Sequence, residues 1–211
     1  MLSNQELADK FITSIEDFKK IKPDNTCKLF AISYIGTTGV GKTTISQKLA
    51  ARLGFYVANS DEIRRFLNRE GFPGKFPDQD LVNFMGKKVS EFLYKTKTSH
   101  IIDADMIRFY DKALANATGN GAKLLVIHLV CPEEIILKRL EERQSKINEG
   151  GSQNYSEVGF SLSVKEEYLE RTAMHNGLPL PKDIYFRINT SENFDSQLNH
   201  LIIRLREDRY L

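Results

Sequence analysis

Eight consecutive residues, Gly36-Thr37-Thr38-Gly39-Val40-Gly41-Lys42-Thr43, constrain this chain more than any other stretch, because they satisfy G-x-x-x-x-G-K-[ST] at every specified position. An apolar run over residues 29–35 leads into them and a helix-like stretch over 43–53 leads out. A strand delivering glycines to a tight turn lets backbone N–H groups converge on phosphate oxygens, since glycine tolerates positive φ and carries no Cβ. The following helix adds the positive end of its dipole. In this pattern Lys42 brings a point charge to the β and γ phosphates of a nucleoside triphosphate, and the Thr43 hydroxyl coordinates Mg²⁺. Thr44 supplies a second hydroxyl but fills no position of the pattern.

The strand–loop–helix unit recurs in outline along the chain. Strands are predicted over residues 29–35, 55–58, 100–103, 123–130 and 184–188, with helices over 43–53, 59–68, 80–94, 109–117, 132–147 and 194–205 between and after them. Another helix is expected from a Ser163-Val164-Lys165-Glu166 cap, and residues 71–77 read as a turn-rich loop. Alternation of this kind implies an α/β fold: a three-layer sandwich around a mostly parallel sheet of about five strands, with ligands gathered at the carboxyl ends of the strands. Ahead of it, Ser3-Asn4-Gln5-Glu6 forms a capping-box pattern, and Leu7, Phe11, Ile15 and Phe18 follow at helical spacing before Pro23. The expected organisation is a helical extension over residues 1–26 and one catalytic domain over 27–211, with a mobile lid at about 144–165 built on Gly150, Gly151 and their polar neighbours.

Composition narrows the partners. The net charge of +2 comes with no extended basic tract, so nucleic-acid binding stays open but unsupported. No apolar run approaches the roughly 18 residues that span a bilayer, and Glu6 and Asp9 stand where a signal peptide is basic and then apolar. The chain is expected in the cytoplasm, with no membrane partner. Cys27 and Cys131 form no C-x-x-C pair and read as free thiols. Nothing in the sequence sets an oligomeric state.

A triphosphate-binding loop serves switches, motors and kinases alike, so the remaining residues must separate these classes. Neither D-x-x-G nor N-K-x-D occurs, which removes the guanine-nucleotide switch. Asp103 follows an apolar strand, the placement of a carboxylate that holds the Mg²⁺ shell opposite Thr43; Asp105 lies two residues on, and Asp103 is preferred. Asp61 stands where the second strand meets a helix. It reads either as a helix cap or first-turn acid, or as a general base that accepts the proton of an acceptor hydroxyl and aims it at the γ-phosphate. In the second reading Arg64, one turn along, positions an anionic or polyhydroxyl acceptor. Arg139 and Arg143 share one helix face just before the expected lid. Planar guanidinium donors suit a spreading phosphoryl charge, although Glu141 and Glu142 beside them also fit a plain solvated face.

In motif order and spacing, residues 28–205 resemble the P-loop kinases of the AAA-type small-kinase group, which includes polynucleotide 5′-kinases, chloramphenicol phosphotransferase, gluconate-kinase-like enzymes and zeta toxins. The resemblance rests on Gly36 to Thr43, on Ser60-Asp61-Glu62-Ile63-Arg64, on Ile101-Ile102-Asp103-Ala104 and on Leu140-Glu141-Glu142-Arg143. It implies an ATP donor with Mg²⁺, Asp61 as the acceptor-side base, lid arginines at the γ-phosphate, and Thr190 and Ser191 near adenine. Thr37, Thr38 and Val40 depart from the serine and small residues of many relatives, and the N-terminal helix is an addition. The expected activity is transfer of the γ-phosphoryl group of ATP to a hydroxyl of a small molecule or nucleotide. A polynucleotide 5′-hydroxyl kinase, a zeta-toxin-like sugar-nucleotide kinase and a non-catalytic ATP-binding module are the alternatives.

Overall fold

The computed structural model describes residues 2–15, 28–72, 79–148 and 164–211. Phe18, Pro23, Cys27, Ser163 and most of the expected lid, residues 149–163, lie outside them. Among the described residues five strands form one sheet: β1 Phe30–Ile35, β2 Tyr56–Asn59, β3 His100–Asp105, β4 Lys123–Val130 and β5 Ile184–Asn189. Their order is β2-β3-β1-β4-β5, and every neighbouring pair is parallel. The described helices are α1 Asn4–Ser14, α2 Lys42–Leu53, α3 Ser60–Arg69, α4 Gln79–Lys95, α5 Tyr110–Gly119, α6 Glu133–Asn148, α7 Val164–Asn176 and α8 Phe194–Glu207. Each element predicted over residues 29–205 is present, with ends moved by up to two residues, whereas α1 ends at Ser14 and Ile15, expected on its apolar face, caps it instead. The difference that bears on the site is β3, which runs through Asp105 rather than ending at Asp103.

Parallel pairing demands crossovers, and the crossovers bury both faces of the sheet. That is why β1 is apolar without alternation and fully buried along its length. Phe30, Ile32 and Tyr34 pack toward Ile45 and Leu49 of α2 and Leu198, Leu201 and Leu205 of α8. Ala31 faces the other way, toward Tyr94 of α4 and Ala117 of α5. A second core lies beside β2, where Leu7, Ala8, Phe11 and Ile15 of the N-terminal segment meet Phe66 and Leu67 of α3 and Met85 and Val89 of α4. The Phe11 and Phe66 rings stand 5.1 Å apart. Ser3 and Glu6 close the capping box that starts α1, as its pattern predicts. The extension is thus built into the layer that carries Asp61 on α3.

At the end of the sheet opposite the phosphate loop, His100 is fully buried at the start of β3. Its Nδ1–H donates to the Thr98 carbonyl at 3.2 Å, and its ring lies 4.9 Å from that of Tyr94. Burial pushes the imidazole down from 6.5 to about 4, so it is neutral in the fold. The unfolded chain takes up this proton near pH 6.5 and the folded chain only near pH 4. Between those values the unfolded state binds more protons, and stability falls as the pH drops, by up to about 3 kcal/mol. His100→Phe keeps a ring against Tyr94 and removes the titration. Urea unfolding at pH 7.5 and pH 4.5 is expected to show a smaller acid loss for this variant than for the wild type; equal losses would exclude His100 as the source.

Candidate active site

The loop from Gly36 to Gly41 lies where β1 ends and α2 begins, and its shape follows from two close approaches. A Cβ on Gly36 would stand 2.9 Å from Val40 Cγ1 and 3.0 Å from the Leu129 carbonyl oxygen. Gly39 adopts a left-handed φ of +81°, and a Cβ there would meet Ile136 Cγ2 at 3.0 Å and Leu140 Cδ2 at 3.1 Å. Val40 is 1 % exposed and belongs to the main core, so the middle of the loop is anchored from beneath. Thr37 and Thr38 are half-buried beside it, whereas Thr43 and Thr44 are exposed on the first turn of α2. Lys42 Nζ donates to the carbonyls of Gly36 at 2.7 Å and Thr37 at 2.9 Å, folding the side chain over the loop. Burial pushes its ammonium down, while the carboxylates of Asp105 and Asp103 oppose that shift.

The two β3 carboxylates do different things. Asp103 is buried, and its Oδ2 accepts from Asn59 Nδ2 at 3.2 Å. Desolvation raises its pKa, against the lowering effects of the Thr43 and Ser46 hydroxyls and of Lys42. Asp103 is therefore the carboxylate that sits beside Thr43. Asp105 Oδ1 instead accepts from the backbone N–H of Gly36 at 3.4 Å and of Ile107 at 3.3 Å, bracing the loop entrance. The irregular register of β1 against β3, where Ser33 pairs with Ile102 but Tyr34 with Asp105, separates the two acids in this way.

Asp61 lies in the first turn of α3, but the cap of that helix is Asn59, whose Oδ1 accepts from the Asp61 N–H at 2.7 Å. The Asp61 carboxylate accepts from Arg64 Nη1 at 2.8 Å and is about half exposed. Its charge reaches Asp103, raising the pKa of that acid, so the two share one end of the sheet. Arg64 is also held by Ser60 Oγ at 3.1 Å and by Gln79 Oε1 at 2.9 Å, and Gln79 Nε2 donates onward to Asn83 at 2.9 Å. The guanidinium thereby ties the start of α3 to the start of α4.

Arg139 and Arg143 are half-buried on α6, whereas Glu141 and Glu142 between them are exposed. Arg139 Nη1 donates to Thr190 Oγ1 at 3.0 Å and Nη2 to the Thr190 carbonyl at 2.7 Å, at the end of β5. Thr190 is buried, and it and Arg139 lie against Gly41, whose added Cβ would be 3.8 Å from Thr190 and 3.9 Å from Arg139 Nη1. Ser191 turns away to Asn189, with its N–H and Oγ both on Asn189 Oδ1. Three participants escape sequence reasoning. Asn59 links the α3 cap to Asp103, Arg171 of α7 sets a like charge near Lys42, and Ser46 adjoins Asp103. Asn59 carried a signal in its position at the end of a strand before a helix; Arg171 and Ser46 sit on helix faces with no local motif.

The residues present fit Mg²⁺. A buried carboxylate beside an exposed threonine hydroxyl is a set of hard oxygen donors, the kind this ion takes together with substrate phosphates.

Comparison with known structures agrees on the fold. A protein of Chloroflexus aurantiacus J-10-fl that carries a provisional kinase designation superposes with a TM-score of 0.64 at 18% identity, covering 87% of this chain and 99% of that one. The PezAT chromosomal toxin–antitoxin system of Streptococcus pneumoniae gives 0.60 at 13% identity, over 90% and 79%. A gluconokinase from Sinorhizobium meliloti 1021 gives 0.52 at 16% identity, over 85% and 93%. No curated protein matches the chain by sequence. The five-stranded parallel sheet with helices on both faces is the fold of the small P-loop kinases. The model of the family described as AAA domain matches residues 32–157, from within β1 through α6, and the chain belongs to that family.

Proposed function

We propose that the protein is an ATP-dependent phosphotransferase that moves the γ-phosphoryl group of ATP to a hydroxyl of a small molecule or nucleotide. The observation that carries this reading is the convergence of Lys42, Asp103 and Asp61, from three different elements, on one end of the sheet. The loop from Gly36 to Thr43 binds the triphosphate through its backbone N–H groups and the start of α2. Lys42 exchanges its carbonyl partners on Gly36 and Thr37 for phosphate oxygens. Thr43 and Asp103 would hold Mg²⁺, with Asn59 orienting the carboxylate. Once bound, the ion neutralises charge on the β and γ phosphate oxygens.

Asp61 faces the acceptor. It accepts the proton of the acceptor hydroxyl as that oxygen bonds to the γ phosphorus and the bond from phosphorus to the bridging β,γ oxygen breaks, leaving ADP. Arg64 keeps the carboxylate aimed through its bond to Oδ1. Three of its five donors are already engaged by Ser60, Asp61 and Gln79, so its part is mainly to orient Asp61 and less to grip an acceptor. Arg171 of α7, whose charge reaches Lys42, and Arg143 of α6 are the arginines assigned to the phosphates in this reading, and Arg139, fixed to Thr190, is assigned to the nucleotide beside Gly41. An ADP-release assay over a panel of hydroxyl-bearing acceptors tests the reading. Small metabolites, free nucleotides, sugar nucleotides and 5′-hydroxyl oligonucleotides form its arms. Stimulation by one arm supports a kinase and identifies its acceptor class, whereas ATP binding without turnover in every arm favours a binding module. An oligonucleotide acceptor would also show steep loss of binding with salt.

Two substitutions separate the donor and acceptor halves. Lys42→Ala removes the charge on the transferred group, and turnover is expected to fall on the order of 10³-fold or more in steady-state assays. Asp61→Asn is expected to leave the ATP dissociation constant within about threefold of wild type while lowering kcat on the order of 10²-fold or more. Retained turnover in Asp61→Asn would remove it as the base.

A further inference from the structure

Two side chains directly beneath the phosphate loop have no part in the reaction as derived above. Tyr34 on β1 and Ser46 on α2 are both wholly inaccessible to solvent. Tyr34 lies in the main core with Ile32, Ile45 and Leu49, where a phenylalanine would fill nearly the same space without a polar atom to satisfy. Neither Tyr34 Oη nor Ser46 Oγ meets a partner at full hydrogen-bonding geometry, an arrangement that costs free energy for each hydroxyl. Both nevertheless adjoin polar groups that lead to Asp103. Ser46, buried on α2 one residue past Ile45, lies beside the Asp103 carboxylate, and the Tyr34 phenol, packed against Ile45, lies beside Ser46.

The chemistry sets the direction of any bonds between them. An ionised Asp103 can only accept, so Ser46 donates to it, and the Ser46 oxygen is then left to accept from Tyr34. The Tyr34 phenol carries its proton at neutral pH and donates. Asn59 holds Asp103 through one oxygen alone, Oδ2. A carboxylate held from one side can swivel; a second donor fixes its plane.

We propose that Tyr34 and Ser46 are positioning residues of the metal site, a buried pair of hydroxyls in series that closes on Asp103 and holds its carboxylate toward Thr43 when divalent cation and nucleotide are bound. The inference rests on the reading of Asp103 and Thr43 as the metal-holding pair.

The test uses the full chain, Mn²⁺ as the probe ion and a non-hydrolysable ATP analogue, with free Mn²⁺ followed by electron paramagnetic resonance. Tyr34→Phe and Ser46→Ala are each expected to weaken Mn²⁺ binding to the nucleotide complex by about tenfold, the usual loss when an outer partner of a ligand is removed. Because the hydroxyls act in series, the double variant should be no weaker than Ser46→Ala alone. Analogue affinity in EDTA should stay within about twofold of wild type, which a merely structural role would not preserve. Unchanged Mn²⁺ affinity, or an equal loss of analogue affinity in EDTA, overturns the proposal. If Tyr34→Phe fails to fold, Ser46→Ala alone decides by the same two measurements. Wild-type protein that binds the analogue without any Mn²⁺ contribution would instead overturn the assignment of Asp103 and Thr43, and the positioning role with it.

Discussion

The site depends on how tightly the phosphate loop is pressed against the core. Gly36 leaves no room for a Cβ between Val40 and the Leu129 carbonyl, and the Val40 side chain is itself buried. A loop whose backbone must present N–H groups outward would ordinarily be free to rearrange. Here one apolar side chain pulled inward and one glycine packed against β4 fix its path, and the energy comes from burial that the core needs anyway. α2 then starts at Lys42 because Gly41, in the left-handed region, turns the chain into it. Thr43, one residue on, is aimed toward β3 by the same turn.

Around that fixed loop, the parallel sheet decides which side chains meet. Parallel strands present all their carboxyl ends on one edge, so Asn59 at the end of β2, Asp103 and Asp105 near the end of β3 and Thr190 after β5 are brought together although they span most of the chain. Charge then assigns their parts. Lys42 is held between burial, which disfavours its ammonium, and two carboxylates that favour it. Asp103 is held between its own desolvation and three groups that favour its ionised form. In both, burial outweighs the neighbours, so each group is shifted toward its neutral form. A site that leaves its charges only partly compensated binds charged ligands without first breaking strong internal pairs.

Sequence patterns expose the architecture almost completely, because alternating short apolar runs and amphipathic stretches are a local record of a parallel sheet covered on both faces. The donor side of the site is readable for the same reason: the loop pattern is contiguous and every required residue lies within it. The choice between Asp103 and Asp105 is not local. It turns on an irregular β1–β3 register and on Asn59 reaching across from β2, which no reading of the β3 segment alone contains. Asp61 shows the limit from the other side. A first-turn acid looks like a cap in one dimension, and only the Asn59 side chain on the Asp61 N–H frees the carboxylate for another use. Arg171 and Ser46 are further from recognition still, since a helix face carries no label for the strand end it will meet.

In the proposed reaction, the acceptor side follows a different logic from the donor side. Its groups come from α3 and α4, which are joined to the sheet edge through a separate core and tied to each other by the chain of bonds from Asp61 through Arg64 and Gln79 to Asn83. That second core includes Leu7, Ala8, Phe11 and Ile15 from the N-terminal segment, and Lys10 pairs with Glu70 just past α3. The loop from Gly36 to Thr43 takes its rigidity from the central sheet, whereas Asp61 takes its position from a helical layer at the edge of that sheet, part of whose packing is supplied by α1. Changes in that layer alter where Asp61 stands without touching a donor residue. The added helix is therefore coupled through packing to the helix that carries Asp61, by the same apolar contacts that stabilise it.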